Sequence, residues 1–233
     1  MTMGKKLMTS WLILGLIFVV VYNLFIKFEY TMIYFMVVIG IFGLPLHIFK
    51  LPLTIRLQNW SAPAILKFLA LGYGAVLTEE IFAALTNHLS EGFNTALYFQ
   101  RILQFWAFNI FAFSGLIFGW YVLTKKIQYS KTEIFFLTGL FGLWTERIFP
   151  VALTNPVAFF FWAPLVIFVY GIIITPAMFS LKPQPTTKTI HPILKYILAY
   201  AVILLFSLLP VMFLWFLRLR YPWAFPPAEF IPL

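Results

Sequence analysis

Leu12-Ile13-Leu14-Gly15-Leu16-Ile17-Phe18-Val19-Val20-Val21 runs for ten residues without a polar side chain. In lipid every backbone amide and carbonyl must be satisfied internally, which leaves helices and closed barrels as the only spanning structures. Barrel strands alternate outward apolar and inward polar residues, and this run does not alternate, so it predicts a helix. The apolar stretch around it covers residues 8–26, and comparable stretches occur at 30–49, 64–88, 102–124, 133–152, 157–180 and 194–217. About 20 mainly apolar residues are needed to cross about 30 Å of hydrocarbon. The expected fold class is therefore all-α: a polytopic transmembrane helical bundle of about seven spans, one integral membrane domain over residues 1–233.

Composition agrees, with 63% hydrophobic, 21% aromatic and only 10% charged residues. The formal net charge of +9 raises the question of a nucleic-acid partner, but the basic residues are distributed as a membrane orientation signal. With seven spans, Lys5, Lys6, Lys50, Arg56, Lys67, Lys125, Lys126, Lys131, Lys182, Lys188 and Lys195 share one face. Lys27, Arg101, Arg218 and Arg220 share the other. Eleven against four puts the N-terminus in the cytoplasm of a multi-pass cell-membrane protein, with the bilayer as partner and no nucleic acid. Lys5 and Lys6 precede an apolar run that lacks a small-residue cleavage site, so a retained first span is expected. The absence of cysteine excludes disulfides, thiolate metal sites and cysteine nucleophiles. Residues 50–63 read as a cytoplasmic interfacial loop, and 182–192 as a polar cytoplasmic linker.

Two near-identical phrases interrupt this apolar background. Thr78-Glu79-Glu80-Ile81-Phe82 leads to Ala84-Leu85-Thr86-Asn87, and Thr145-Glu146-Arg147-Ile148-Phe149 leads to Ala152-Leu153-Thr154-Asn155. The glutamates are 67 residues apart (146 − 79) and the asparagines 68 apart (155 − 87), so the second copy holds one extra residue, near Pro150. Both copies fall in outward-running spans, which predicts a parallel two-helix internal repeat with units 64–124 and 133–180. An intramembrane carboxylate costs roughly 2.5 to 10 kcal/mol unless it pairs, protonates or faces water, which makes these residues site candidates. Glu79 and Glu146, equivalent in the repeat, are the candidate catalytic residues, one carboxyl holding a proton as general acid and its partner serving as base or cation stabiliser. Glu80 and Arg147, also equivalent, are expected to form a structural ion pair. Asn87 and Asn155 are candidate binding residues at the outer surface. Pro150 removes the amide that would bond the Glu146 carbonyl, so a kink is expected there. His88 has no second histidine at ligand spacing, so no metal site is expected, and no cofactor is implied.

The string Glu79-Glu80-Ile81-Phe82-Ala83-Ala84-Leu85-Thr86-Asn87 resembles the glutamate-pair motif of the integral-membrane lycopene cyclases, which also carry their motif in two halves. The resemblance implies proton-initiated cyclisation of a carotenoid end, with Glu79 and Glu80 as acid or cation-stabilising groups. The residues alone leave three functions open: action on a lipophilic, isoprenoid-like small molecule within the bilayer, proton- or ion-coupled transport, and an accessory role in an oligomer or larger membrane complex.

Overall fold

The computed structural model describes residues 3–89, 92–182 and 190–225. Residues 183–189, the centre of the expected cytoplasmic linker, lie outside them. The chain is all-helical over its described elements and is a multi-pass membrane protein. Helix α1 covers Met3–Phe25, α2 Tyr30–Val38, and a π-helical turn at Ile39–Gly43 leads into α3, Leu44–Ile48. Helix α4 covers Lys50–Asn59, α5 Ala64–Leu89, α6 Thr95–Ala112 and α7 Ser114–Lys126. Then come α8 at Lys131–Thr145, the short α9 at Phe149–Thr154, α10 at Pro156–Ser180 and α11 at Pro192–Arg220.

Five stretches are long and apolar enough to cross a bilayer: Lys6–Phe25, Ala64–Thr86, Thr95–Lys126, Pro156–Ser180 and Pro192–Arg220. A sixth arises if Met32–Ile48 and Lys50–Asn59, bent by 76° at Phe49, count together. The expected fifth span, 133–152, is not one helix: α8 stops after 15 residues, about 22 Å of rise, short of the roughly 30 Å needed. The segment 50–63, expected as a loop, is instead largely the helix α4. Pro52 is tolerated there because it lies in the first turn, where its missing N–H has no intrahelical partner to lose. The far end of α4 is closed by buried Lys67, whose ammonium donates to the carbonyls of Leu57, Gln58 and Trp60 at 3.3, 3.2 and 3.1 Å.

Two antiparallel hairpins position the site. In the first, α5 runs against α6 and α7: Phe68 meets Tyr121, Tyr73 bonds Ser114 at 2.5 Å, and Trp106 donates to the Leu77 carbonyl at 2.8 Å. In the second, α8 runs against α10, with Phe135 on Phe168 and Gly139 on Ile167. A Cβ on Gly139 would stand 2.7 Å from the Ile167 carbonyl oxygen and 2.8 Å from its Cα, so only glycine allows this approach. Between the hairpins lies the main core, built on Phe68, Leu116, Trp120, Ile134 and Ile173. Trp120 Nε1 donates to Thr138 Oγ1 at 2.8 Å inside it. Helix α11 closes the bundle against α7 and turns Leu205, Leu209, Met212 and Trp215 outward, the apolar exterior that lipid requires.

At the end of the bundle where α7 stops and α8 starts, Lys195 pairs with Glu133 at 2.6 Å and stands over the Tyr129 ring. Burial first, and the Glu133 charge second, push the Tyr129 phenol up to about 12, so it stays protonated and donates to the Lys195 carbonyl at 2.7 Å.

Gly139→Ala should lower the unfolding temperature in detergent by an amount equivalent to about 1–3 kcal/mol, because backbone cannot retreat from the new methyl. Gly74→Ala, where a Cβ meets nothing within 4 Å, should be neutral or gain about 0.5–1 kcal/mol. Equal losses in both variants would remove the close α8–α10 approach as a stability determinant.

Candidate functional site

Helix α5 carries Glu79 and Glu80 in its interior; their carboxyls bond to each other, and each also takes a partner from a different helix. Glu79, 6% exposed, accepts the hydroxyl of Tyr34 from α2. Glu80, 9% exposed, accepts the side-chain amide of Asn109 from α6. Glu146 sits at the C-cap of α8, exposed, and accepts the hydroxyl of Tyr170 from α10. Thr145 places its own hydroxyl 3.3 Å from that of Tyr170.

All three glutamates face one cavity of about 380 Å³. Its polar wall is completed by Tyr34, Asn109, Thr145 and Tyr170, and its apolar wall is Phe105, Phe108, Phe113, Phe141, Val169 and Ile173. Exposed Thr145 and Glu146 mark the mouth, and buried Glu79 and Glu80 mark the floor. Among the described residues, no basic side chain lines it. Three carboxyl groups on an apolar-walled cavity without a fixed cation form a site suited to holding protons or a positive charge. Among the described residues, no three histidine, cysteine or acidic side chains converge in a metal-ligating set.

The expected Glu80–Arg147 ion pair is not formed. Glu80 is taken by Asn109, and Arg147 is exposed, with no carboxylate partner among the described residues. The cause is backbone geometry. After Thr145 the chain closes a Schellman motif: the Arg147 amide donates to the Trp144 carbonyl at 3.2 Å and the Ile148 amide to the Leu143 carbonyl at 2.9 Å. Ile148 packs on the cluster containing Leu143, the apolar contact that accompanies this cap. Arg147 occupies its left-handed position with φ 55°, normally given to glycine and costing another residue about 1–2 kcal/mol. Pro150 supplies no amide for the Glu146 carbonyl, so the expected disturbance is a full break with α9 beyond it.

The two motif copies share some local chemistry. Thr78 and Thr145 both donate back to the carbonyl four residues earlier, at 2.6 and 3.2 Å, and Glu79 and Glu146 both hold a tyrosine hydroxyl. Beyond the glutamates they diverge, α5 continuing to Leu89 where α8 has ended. Asn155 accepts from the Ala158 amide at 3.0 Å and caps the start of α10, away from the cavity wall. The side chain of Asn87 lies outside the described residues.

Sequence reasoning missed the two tyrosines and Asn109 as carboxyl partners. The available signal was a hydroxyl or amide inside an otherwise apolar span. It also missed buried Arg101, expected at the outer face as an orientation charge. Arg101 Nη1 lies 2.7 Å from His88 Nδ1, while His88 Nε2 accepts the Asn94 amide at 2.7 Å, fastening the end of α5 to the start of α6.

No protein-family model, curated protein or solved structure matches this chain, so the cavity itself carries the functional reading.

Removing the amide in Asn109→Ala strands a buried carboxyl and should cost about 1–3 kcal/mol in detergent unfolding. Adding Glu80→Gln should recover part of that loss, and a double-mutant cycle should read a coupling of about 0.5–3 kcal/mol. Additive losses would mean that the two side chains do not meet.

Proposed function

We propose that this membrane protein acts on a lipophilic, isoprenoid-like molecule that enters the cavity from the bilayer, with Glu79 as proton donor and Glu146 as acceptor. The observation that carries the reading is the convergence of three glutamates on one cavity of about 380 Å³ whose other wall is mostly phenylalanine. That volume lies in the range of small-molecule sites.

In this reading the Glu79 carboxyl gives its proton to one carbon of an alkene. The π pair forms the new C–H bond, and the other carbon becomes cationic. A second double bond attacks it and closes a ring. Loss of a proton from a neighbouring carbon to the Glu146 carboxylate restores an alkene, so the reaction is an isomerisation that needs no oxidant or cofactor. Glu80, held by Asn109, and the faces of Phe113 and Phe141 would stabilise the transient cation. The likeness of Glu79-Glu80 and its flank to the lycopene-cyclase motif points the same way. With it goes the finer architecture: α8 and α9 as a seventh crossing interrupted at Arg147, units 64–124 and 133–180 as a parallel repeat, and the lysine-rich end in the cytoplasm.

A second reading is favoured by the gradient from exposed Glu146 to buried Glu79 and Glu80, which suits stepwise movement of a proton or cation.

Expression in cells that accumulate linear carotenoids should yield cyclised pigment. Glu79→Gln should cut it at least about 100-fold, the usual scale of a general acid. An unchanged pigment profile with good expression would sink the cyclase version. A pH-gradient-driven flux in proteoliposomes that vanishes with Glu146→Gln would establish transport in its place.

A further inference from the structure

We infer that Arg147 is an anion-recognition residue at the cavity mouth, and that its ligand is the phosphate head of a membrane lipid. The inference stands apart from the proposed cyclisation, since it concerns binding outside the acidic wall.

Among the described residues Arg147 is the one non-glycine with positive φ. It occupies the position of a complete Schellman motif where glycine is the usual solution. Strain of this kind persists where the side chain has a use that glycine cannot meet. That use is not neutralising the glutamates. Tyr34, Asn109 and Tyr170, all uncharged, satisfy those carboxyls, and the guanidinium is left exposed. An exposed, unpaired arginine keeps its planar fork of donors for a bidentate oxyanion, and phosphate fits that fork.

The surroundings identify the source of the anion. Trp144, Phe149 and Leu153 flank Arg147 in the chain and are 56%, 42% and 90% exposed, an apolar setting that acyl chains would cover. Arg147 immediately succeeds Thr145 and Glu146, the two exposed lining residues. Ile148 and Phe159 pack on one cluster, which ties this point to the first turn of α10, the end of a membrane-length helix. A phosphate held there would leave its apolar chain beside the mouth.

The test uses purified protein in dodecyl maltoside micelles with farnesyl phosphate, farnesol and inorganic phosphate as probes, read by tryptophan fluorescence and thermal unfolding. Wild type should bind farnesyl phosphate at least tenfold tighter than farnesol. Arg147→Gly should lose that preference while unfolding at the same or a higher temperature, because glycine relieves the left-handed strain. Arg147→Lys should keep only part of the preference, lacking the bidentate fork. If Arg147→Gly fails to accumulate, Arg147→Asn supplies the same comparison, since asparagine tolerates this backbone. A preference that survives in the glycine or asparagine variant overturns the proposal. So does inorganic phosphate that competes at concentrations equal to farnesyl phosphate, which would reveal a site for free anions.

Discussion

A carboxyl group facing lipid-excluded space must find a donor, and in this bundle each cavity glutamate finds one on a different helix. Tyr34 reaches Glu79 from α2, Asn109 reaches Glu80 from α6, and Tyr170 reaches Glu146 from α10. Each bond therefore ties two helices together across the space it lines. Apolar contact gives weak specificity in a bilayer, because lipid tails are as apolar as leucine. Polar bonds and the close glycine approaches at Gly139 and Gly72 are what distinguish one helix arrangement from its neighbours. The same carboxyls that open a site for chemistry thus help to fix the packing around it.

One motif written twice produces two backbones, and the reason lies in the residues on the C-terminal side of the glutamates. After Glu80 come Ile81, Phe82, Ala83 and Ala84, a run with every amide present, and α5 continues to Leu89. After Arg147 comes Pro150, which offers no amide to Glu146, and the chain turns through a left-handed residue before α9. The extra residue in the second copy, near Pro150, falls just past this break, in the first turn of α9. Glu79 consequently sits within a continuous helix with its neighbours fixed, whereas Glu146 sits at a helix end, open to whatever reaches the mouth.

The helical class and the apolar exterior were legible in the sequence because lipid imposes them residue by residue. The concentration of Glu79, Glu80 and Glu146 as site candidates was legible for the same reason: ionisable groups are costly there, so each demands an explanation. What could not be read was direction. Pairing Glu80 with Arg147 rested on complementary charge and assumed that both lie on unbroken helices. A left-handed residue at 147 turns the side chain by an amount that no pattern of residue types encodes. Tyr34 and Tyr170 escaped because tyrosine is equally at home as an interfacial anchor. The helix at Lys50–Asn59 escaped because Pro52 reads as a breaker until its place in the first turn is known. The span count suffered similarly: residues 133–152 are apolar through most of their length, and only the Schellman cap divides them.

The placement of charge around the cavity separates two tasks that a single ion pair would have merged. A guanidinium bonded to Glu80 would have neutralised the floor and left a site with little use for a proton or a transient cation. Uncharged donors satisfy the hydrogen-bonding needs of the carboxyls without supplying a compensating charge, so the floor keeps its acidic character. Arg147, turned away by backbone geometry, is exposed next to Glu146 in the chain, where it can attract an anion without quenching the interior. An amphiphile entering with its apolar part first would then meet phenylalanine and carboxyl groups inside, with its anionic head held outside. The single left-handed residue at the end of α8 thus sets a cation beside the mouth carboxyl of Glu146 while the floor, with Glu79 and Glu80, stays acidic.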